Sequence, residues 1–243
     1  AGSSRYVLVV GVERLTDIAS GKLPPGPALA RDRSLLHDAI DVDRPALISL
    51  IPTIRGESAM LDLGANLECS DRNLVQFAIM GAAYSRVLLG ITLPKVGLIN
   101  VGTEDLKGHE ELKLAAEVLR NAELPLEFLG FVEGDDIGRG TSDVYVSDGF
   151  TGNIALKTAE GTAILVMTLL RRAFQNSLLS KLGYLFARSA LRSLRDHLDP
   201  KAHNGGVLLG LNGLVVKSHG GADEKGFASA IGVAVDMAKG DLY

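Results

Sequence analysis

At 243 residues, with 47% hydrophobic and 22% charged side chains, the chain is long enough for a substantial buried core and has the balance of a soluble globular protein. A formal net charge of -4 excludes a general pull toward nucleic acid, so any anionic partner must be met by a local patch. The single cysteine, Cys69, excludes an internal disulfide and fits a reducing, cytoplasmic setting; no Cys/His pairs have zinc spacing, and the most continuous apolar run, 162–170, falls short of the roughly 20 residues of a spanning helix.

In chain order, residues 5–10 read as a buried strand ending at Gly11, too short and wrongly flanked for a signal peptide. Residues 12–42, broken by Pro24, Pro25 and Pro27, hold no periodic stripe and are expected to be a loop or to have lost segments. Strands are predicted at 45–51 and 58–63, closed by the turn Gly64-Ala65-Asn66, then a helix at about 71–89 with Leu74, Phe77, Ala78, Met80 and Gly81 facing inward. A strand at 95–101 leads through the polar loop 102–108 into a helix with Leu112, Ala115, Ala116 and Leu119 on its core stripe, and 126–132 supplies another strand.

Val144, Tyr145 and Val146 make a short strand that breaks at Asp148-Gly149 and passes at once into a helix, whose 154–170 part, apolar nearly all round, is expected to be a buried central helix. Strands at 207–211 and 214–217, the turn Ser218-His219-Gly220-Gly221 and a final helix at 227–237 complete the chain. Strands alternating with helices, apolar on both faces, predict one α/β domain over 1–243. It is a three-layer, mostly parallel sheet with helices on both faces.

If the sheet is parallel, the loops after the strands lie at one edge, so 64–66, 102–108, 148–153 and 218–220 converge on one pocket. The 148–153 junction is the centre of this arrangement. Gly149 and Gly152 allow close approach, and the N–H groups of the first helical turn, with Asp148, Thr151 and Asn153 around them, form a natural anion site. Lys107, between a buried strand and Gly108, is either a solvated surface lysine or a phosphate or carbonyl contact, with Glu104 among the neighbouring acids that would orient it. Asn153 is a helix cap, an oxyanion donor or both; His219 is a satisfied loop histidine or a positioning group; Cys69 reads as a small packed side chain. Without a Ser-His-acid set or a cysteine pair, the inventory suits oxyanion binding better than a covalent intermediate, and calls for no cofactor and no metal.

Residues 171–200 differ in character. Lys181, Arg188, Arg192 and Arg195, at steps of seven, four and three, fall on one narrow helical stripe, while Leu179, Leu182, Phe186, Ala190 and Leu194 fall opposite. Such a basic amphipathic helix either packs on the core or a dimer partner, docks an acidic protein, or lies on an anionic membrane surface through Leu182, Phe186, Lys181, Arg188 and Arg192. The alternation of Leu and Phe with the charges favours the membrane.

From residue 44 to about 238 the chain resembles the bacterial phosphate acyltransferases of phospholipid synthesis, the PlsX family. The stretches that carry the likeness are Leu-Asp-Leu-Gly-Ala-Asn at 61–66, Gln-Phe-Ala-Ile-Met-Gly at 76–81, Leu-Ile-Asn-Val-Gly at 98–102 with Lys107 and Gly108, Asp-Gly-Phe-Thr-Gly-Asn at 148–153 with Leu156-Lys-Thr158 and Glu160-Gly161, Leu-Leu-Gly-Leu at 208–211, and Lys-Ser-His-Gly at 217–220. The resemblance implies a fold like that of isocitrate and isopropylmalate dehydrogenases and a homodimer. It also implies transfer of a fatty acyl group from acyl carrier protein to inorganic phosphate, giving acyl phosphate. Lys107 and Asn153 would be the central donors, the 148–152 backbone the anion cradle, and Asn66, Glu104 and His219 positioning groups. The family's opening Asp-x-Met-Gly-Gly-Asp segment and a Ser-Ala-Gly-Asn-Thr-Gly-like segment do not appear in the sequence, and an incomplete chain is expected from the integrity of the later stretches. A phosphate acetyltransferase-like enzyme and a non-catalytic acyl-protein or membrane-binding module are the alternatives; a dehydrogenase of the same fold would need clustered aspartates that the sequence does not offer.

Overall fold

Alternation of burial along short strands is the physical key to this fold. In the computed structural model, which describes residues 7–11, 42–198, 205–211, 213–218 and 222–239, Ala46 and Ile48 face one core while Leu47 faces another; Ala59 and Leu61 divide in the same way from Met60, and Val144 and Val146 from Tyr145. A sheet apolar on both faces needs a layer on each. The elements in chain order are β1 (Val7–Gly11), β2 (Ala46–Thr53), β3 (Gly56–Leu61), α1 (Asp71–Leu89), β4 (Lys95–Ile99), α2 (Glu110–Asn121), β5 (Glu127–Val132), α3 (Gly134–Arg139), β6 (Val144–Val146), α4 (Gly149–Gln175), α5 (Leu178–Leu198), β7 (Gly206–Leu209), β8 (Leu214–Ser218) and α6 (Glu224–Lys239). The first core is filled from α1, α2 and α6 by Leu74, Phe77, Ala115, Leu119, Ala230 and Met237; the second takes Ile137 of α3 and Ala155 and Leu156 of α4.

The helix over 71–89 begins where its sequence says it should. Ser70 Oγ accepts the Asn73 N–H while Asn73 Oδ1 accepts the Ser70 N–H, a reciprocal cap, and Gly90 ends the helix in the left-handed conformation. Gly81 is required inside it, because a Cβ there would run into Val144 and Leu61 of the sheet.

The eight described strands lie in the order β1-β8-β7-β2-β3-β6-β4-β5. The sheet is mixed, which corrects the expectation of a mostly parallel one. β3, β6, β4 and β5 run parallel, and β1 runs parallel to β8, but β2 is antiparallel to both β3 and β7, and β7 to β8. The reason is connection length: two residues, Ile54 and Arg55, join β2 to β3, and 210–213 join β7 to β8, whereas parallel neighbours need a crossover of a dozen or more residues. In consequence β3, β6, β4 and β5 end at one edge, and β2 begins there.

A second correction concerns α4. It forms as expected, but it is not a buried central helix: Ile164, Leu165, Val166 and Leu169 are exposed. Twenty-seven helical residues span about 40 Å, well beyond the roughly 26 Å of the longest described strand, the eight-residue β2, so α4 outruns the sheet. It is also long and apolar enough to cross a bilayer by length and composition, more than the 162–170 run implied. α5 packs against α4 after a break at 176–177, with Phe174 and Tyr184 edge to face at 5.7 Å, and its His197 Nε2 lies 3.3 Å from the Thr53 carbonyl oxygen. The expected loop at 12–42 lies outside the described residues but for Val42.

Candidate functional site

Three of the four expected loops lie at one edge of the sheet. With β6 between β3 and β4, and neighbouring strands about 4.8 Å apart, the turn after β3 and the loop after β4 flank the start of α4 within about 10 Å. The fourth loop follows β8, which runs against β7 and ends at the opposite edge, so strand direction does not bring it to this group; His219 itself lies outside the described residues.

The turn after β3 is organised by Asp62, which is fully buried. Its Oδ1 accepts the N–H groups of Leu47, Gly64 and Ala65, and its Oδ2 accepts the N–H and Nδ2 of Asn66. Asn66 Nδ2 also donates to the Pro45 carbonyl at 2.8 Å. With both amide hydrogens committed inside the protein, Asn66 braces the turn and has none left to donate to a substrate.

The start of α4 is capped by its own aspartate. Asp148 Oδ1 accepts the Thr151 N–H at 2.7 Å and Oδ2 accepts the Thr151 hydroxyl at 2.8 Å; the Gly149 N–H donates to the Asn66 carbonyl and the Gly152 N–H to that of Asp148. The backbone of Asp148, Gly149, Thr151 and Gly152, expected to form an open cradle, has its N–H groups already bonded at the helix start, Thr151 to the Asp148 carboxylate, Gly149 to the Asn66 carbonyl and Gly152 to the Asp148 carbonyl, which leaves the Phe150 N–H with no bond among the described residues. Gly149 and Gly152 have a different purpose from ligand approach. A Cβ on Gly149 would lie 2.5 Å from the Asn66 oxygen, and one on Gly152 would overlap the Asp62 carbonyl, so both let the helix start seat on the β3 turn.

Asn153 lies over Gly64, whose φ of +120° and missing side chain leave the room: a Cβ there would stand 3.4 Å from Asn153 Nδ2. Asn153 is exposed, with its amide unbonded to any described residue. In the loop after β4, the Lys107 Nζ pairs with Glu104 Oε1 at 2.9 Å, and the lysine stem folds over Gly102. The hydrogen bond from Lys107, added to its charge, holds the Glu104 carboxyl below its ordinary value; the same bond, then the charges of Glu104 and Glu133, raises the Lys107 ammonium. Lys107 is thus a fixed cation and not a proton acceptor. Asn100 holds the loop in place: its Nδ2 donates to the Lys107 carbonyl at 3.0 Å and its Oδ1 accepts the Val101 N–H, while Asp105 pairs with Arg120 of α2. Burial pushes the Cys69 thiol up to about 12, with the charges of Asp62 and Asp148 adding to the effect, so it stays protonated.

Sequence reasoning missed Asp62 and Asn100, while the Phe150 N–H lay within the 148–152 backbone it singled out. Asp62 had a signal: in Asp-Leu-Gly-Ala-Asn an aspartate opens a turn in which its carboxylate can bond the backbone two to four residues on. Asn100, the first polar residue after a buried strand, had a weaker one.

A family model described as fatty acid synthesis protein matches residues 24–243. The chain belongs to the fatty acid synthesis protein family. Members similar to it include the phosphate acyltransferase of Parvibaculum lavamentivorans, 59% identical over 89% of this chain and 60% of that one, and the phosphate acyltransferase of Paramagnetospirillum magneticum, 54% identical over 87% of this chain and 60% of that one. The chain thus spans 60% of the length of these relatives. In structure, a branched-chain phosphotransacylase from Enterococcus faecalis V583 matches with a TM-score of 0.50 over 80% of this chain and 66% of its own, at 12% identity, a likeness of fold alone. Within this fatty acid synthesis family chain, the stretches at 61–66, 98–102 and 148–153 are the ones that reach the common sheet edge.

Proposed function

We propose that this chain carries the centre that transfers a fatty acyl group from acyl carrier protein to inorganic phosphate, giving acyl phosphate for phospholipid synthesis. The observation that best supports the reading is that Asn153, whose amide is unbonded, and the loop that fixes a cationic Lys107 follow parallel neighbouring strands to the same sheet edge, where the nearby thiol stays protonated. These groups suit charge stabilisation around two reactants that need no enzyme nucleophile. The names of the similar phosphate acyltransferases point the same way.

In the proposed reaction a phosphate oxygen attacks the thioester carbonyl carbon, and the carbonyl oxygen becomes an oxyanion that Asn153 Nδ2, the Phe150 N–H and Lys107 would stabilise. Collapse breaks the C–S bond, and the carrier thiolate takes the proton that the phosphate gives up. Donors aimed at the developing charge account for rate, and holding both reactants supplies the rest. Glu104 orients Lys107, and Asp148 and Thr151 shape the mouth.

Two finer readings accompany this one. The exposed apolar face of α4, with Ile164, Leu165 and Leu169, is offered to a second copy in a homodimer. Helix α5, with Leu179, Leu182 and Phe186 exposed on one side and Lys181, Arg188 and Arg192 on the other, is offered lengthwise to the anionic inner membrane surface, each nearby cation contributing roughly 1 kcal/mol. The protein would then be cytoplasmic and peripherally membrane-associated, with acyl carrier protein and phosphate as partners, and the isocitrate dehydrogenase-like description would apply to its sheet.

The test is to incubate the full chain with fatty acyl-loaded carrier and labelled phosphate. Labelled acyl phosphate, formed in step with free carrier thiol, is expected; no labelled product from a folded sample would overturn the reading.

A further inference from the structure

The most heavily bonded polar group among the described residues lies just behind the site. Asp62 has no exposed surface, yet its carboxylate receives five N–H donors: Leu47 at 2.9 Å, Gly64 at 3.2 Å and Ala65 at 3.0 Å on Oδ1, and the Asn66 N–H at 2.7 Å and Nδ2 at 2.9 Å on Oδ2. A buried carboxylate is costly unless its lone pairs are all met, and here they are. An amide could not replace it, because its two hydrogens would face donors. The charge therefore selects one geometry for the turn.

That geometry reaches Asn153 by short links. Asn66, held by Asp62, accepts the Gly149 N–H on its carbonyl at 2.7 Å and so fixes the first residue of α4. The Asp62 backbone pairs with Ser147, just before α4, and its carbonyl abuts Gly152. Gly64, held by Oδ1, is the surface on which Asn153 lies. We propose that Asp62, acting through Asn66 and Gly64, is the positioning residue for the Asn153 amide and so for oxyanion stabilisation. The inference rests on the proposed acyl transfer for its kinetic meaning, but the placement of Asn153 can be observed without it.

The test compares the full chain with Asn66→Ala, Asp62→Asn, Asn153→Ala and the double variant Asn66→Ala with Asn153→Ala. Turnover and the NMR signal of the Asn153 side-chain amide are both followed. Asn66→Ala, which keeps four of the five donors to Asp62, is expected to fold, to shift the Asn153 signal and to lower kcat about 10-fold with KM for phosphate changed less than about twofold. In the Asn153→Ala background the same change should cost less than about twofold further, since the group it positions is gone. Asp62→Asn should shift the signal more than Asn66→Ala; if it fails to fold, Asn66→Ala carries the test alone. An unmoved Asn153 signal, or a full 10-fold loss repeated in the Asn153→Ala background, overturns the proposal. If the wild type transfers no acyl group, the proposed function fails, and the amide signal still decides the positioning claim.

Discussion

The edge where β3, β6 and β4 end and the hairpin of α4 and α5 that grows from it obey opposite rules. At the edge, every close approach is met by a glycine or an internal hydrogen bond, so that Gly149, Gly152 and Gly64 each face a specific neighbour. Along the hairpin, Gly161 and Gly183 face nothing within 4 Å, and apolar side chains such as Phe186, 85% exposed, stand in the open. One region is complete in itself; the other carries the surface that a partner would need. Local chemistry dictates the first, and surroundings dictate the second.

The sharpest way to break this contrast is to add one methyl group in each region. Gly152→Ala should destabilise the protein by about 3 kcal/mol or more, because its Cβ must displace the Asp62 backbone, whereas Gly161→Ala on the same helix should stabilise it by about 0.5–1 kcal/mol through helix propensity alone. Thermal unfolding of both variants measures the difference, and equal effects would mean that the start of α4 is not seated as described.

Next in size is the loss of single donors at the edge. Lys107→Ala and Asn153→Ala should each fold with near-native stability, both side chains being exposed, and lose on the order of 10²-fold in turnover. A purified, folded variant with near-native turnover would remove that residue from the site.

On the hairpin, replacing Leu182 and Phe186 with Glu should alter stability by no more than about 0.5 kcal/mol, since both side chains already meet water. The same change should abolish flotation with anionic vesicles while solution turnover persists. Wild-type protein that stays behind at low salt, or a double variant that unfolds, would make the helix structural.

The smallest effect expected is with pH. Glu104 is lowered from 4.5, so its share of the pair is present above that value and lost as pH falls through its folded value. Lys107 is raised from 10.5, so its share is present below that value and lost only at still higher pH. Between 4.5 and 10.5 the pair keeps both charges, and being exposed it adds little stability. A titration of the Lys107 ammonium by NMR should show no step in that window.

How much of this was legible in the residues follows the same division. The reciprocal cap of Ser70 and Asn73, the strand break at Asp148 and the core stripe of Ala115, Ala116 and Leu119 depend on neighbours a few positions away, and those elements stand where periodicity and caps put them. The mixed sheet was also legible in principle, since strands at 45–51 and 58–63 lie too close for a crossover. The cradle is less open than the sequence advertises because its N–H groups find local acceptors, the Asp148 carboxylate for Thr151, the Asn66 carbonyl for Gly149 and the Asp148 carbonyl for Gly152. The exposure of Ile164 and Leu165 was not legible at all: an apolar helix looks the same whether sheet, partner or lipid covers it.

Single-turnover kinetics reach the central claim, direct transfer at this edge without an acyl-enzyme. Full chain is mixed in excess with acyl-loaded carrier and no phosphate, and phosphate is then added. No burst of free carrier is expected before phosphate, and stoichiometric carrier release with acyl phosphate after it. A burst without phosphate, with the acyl group retained covalently on the protein, would contradict the account.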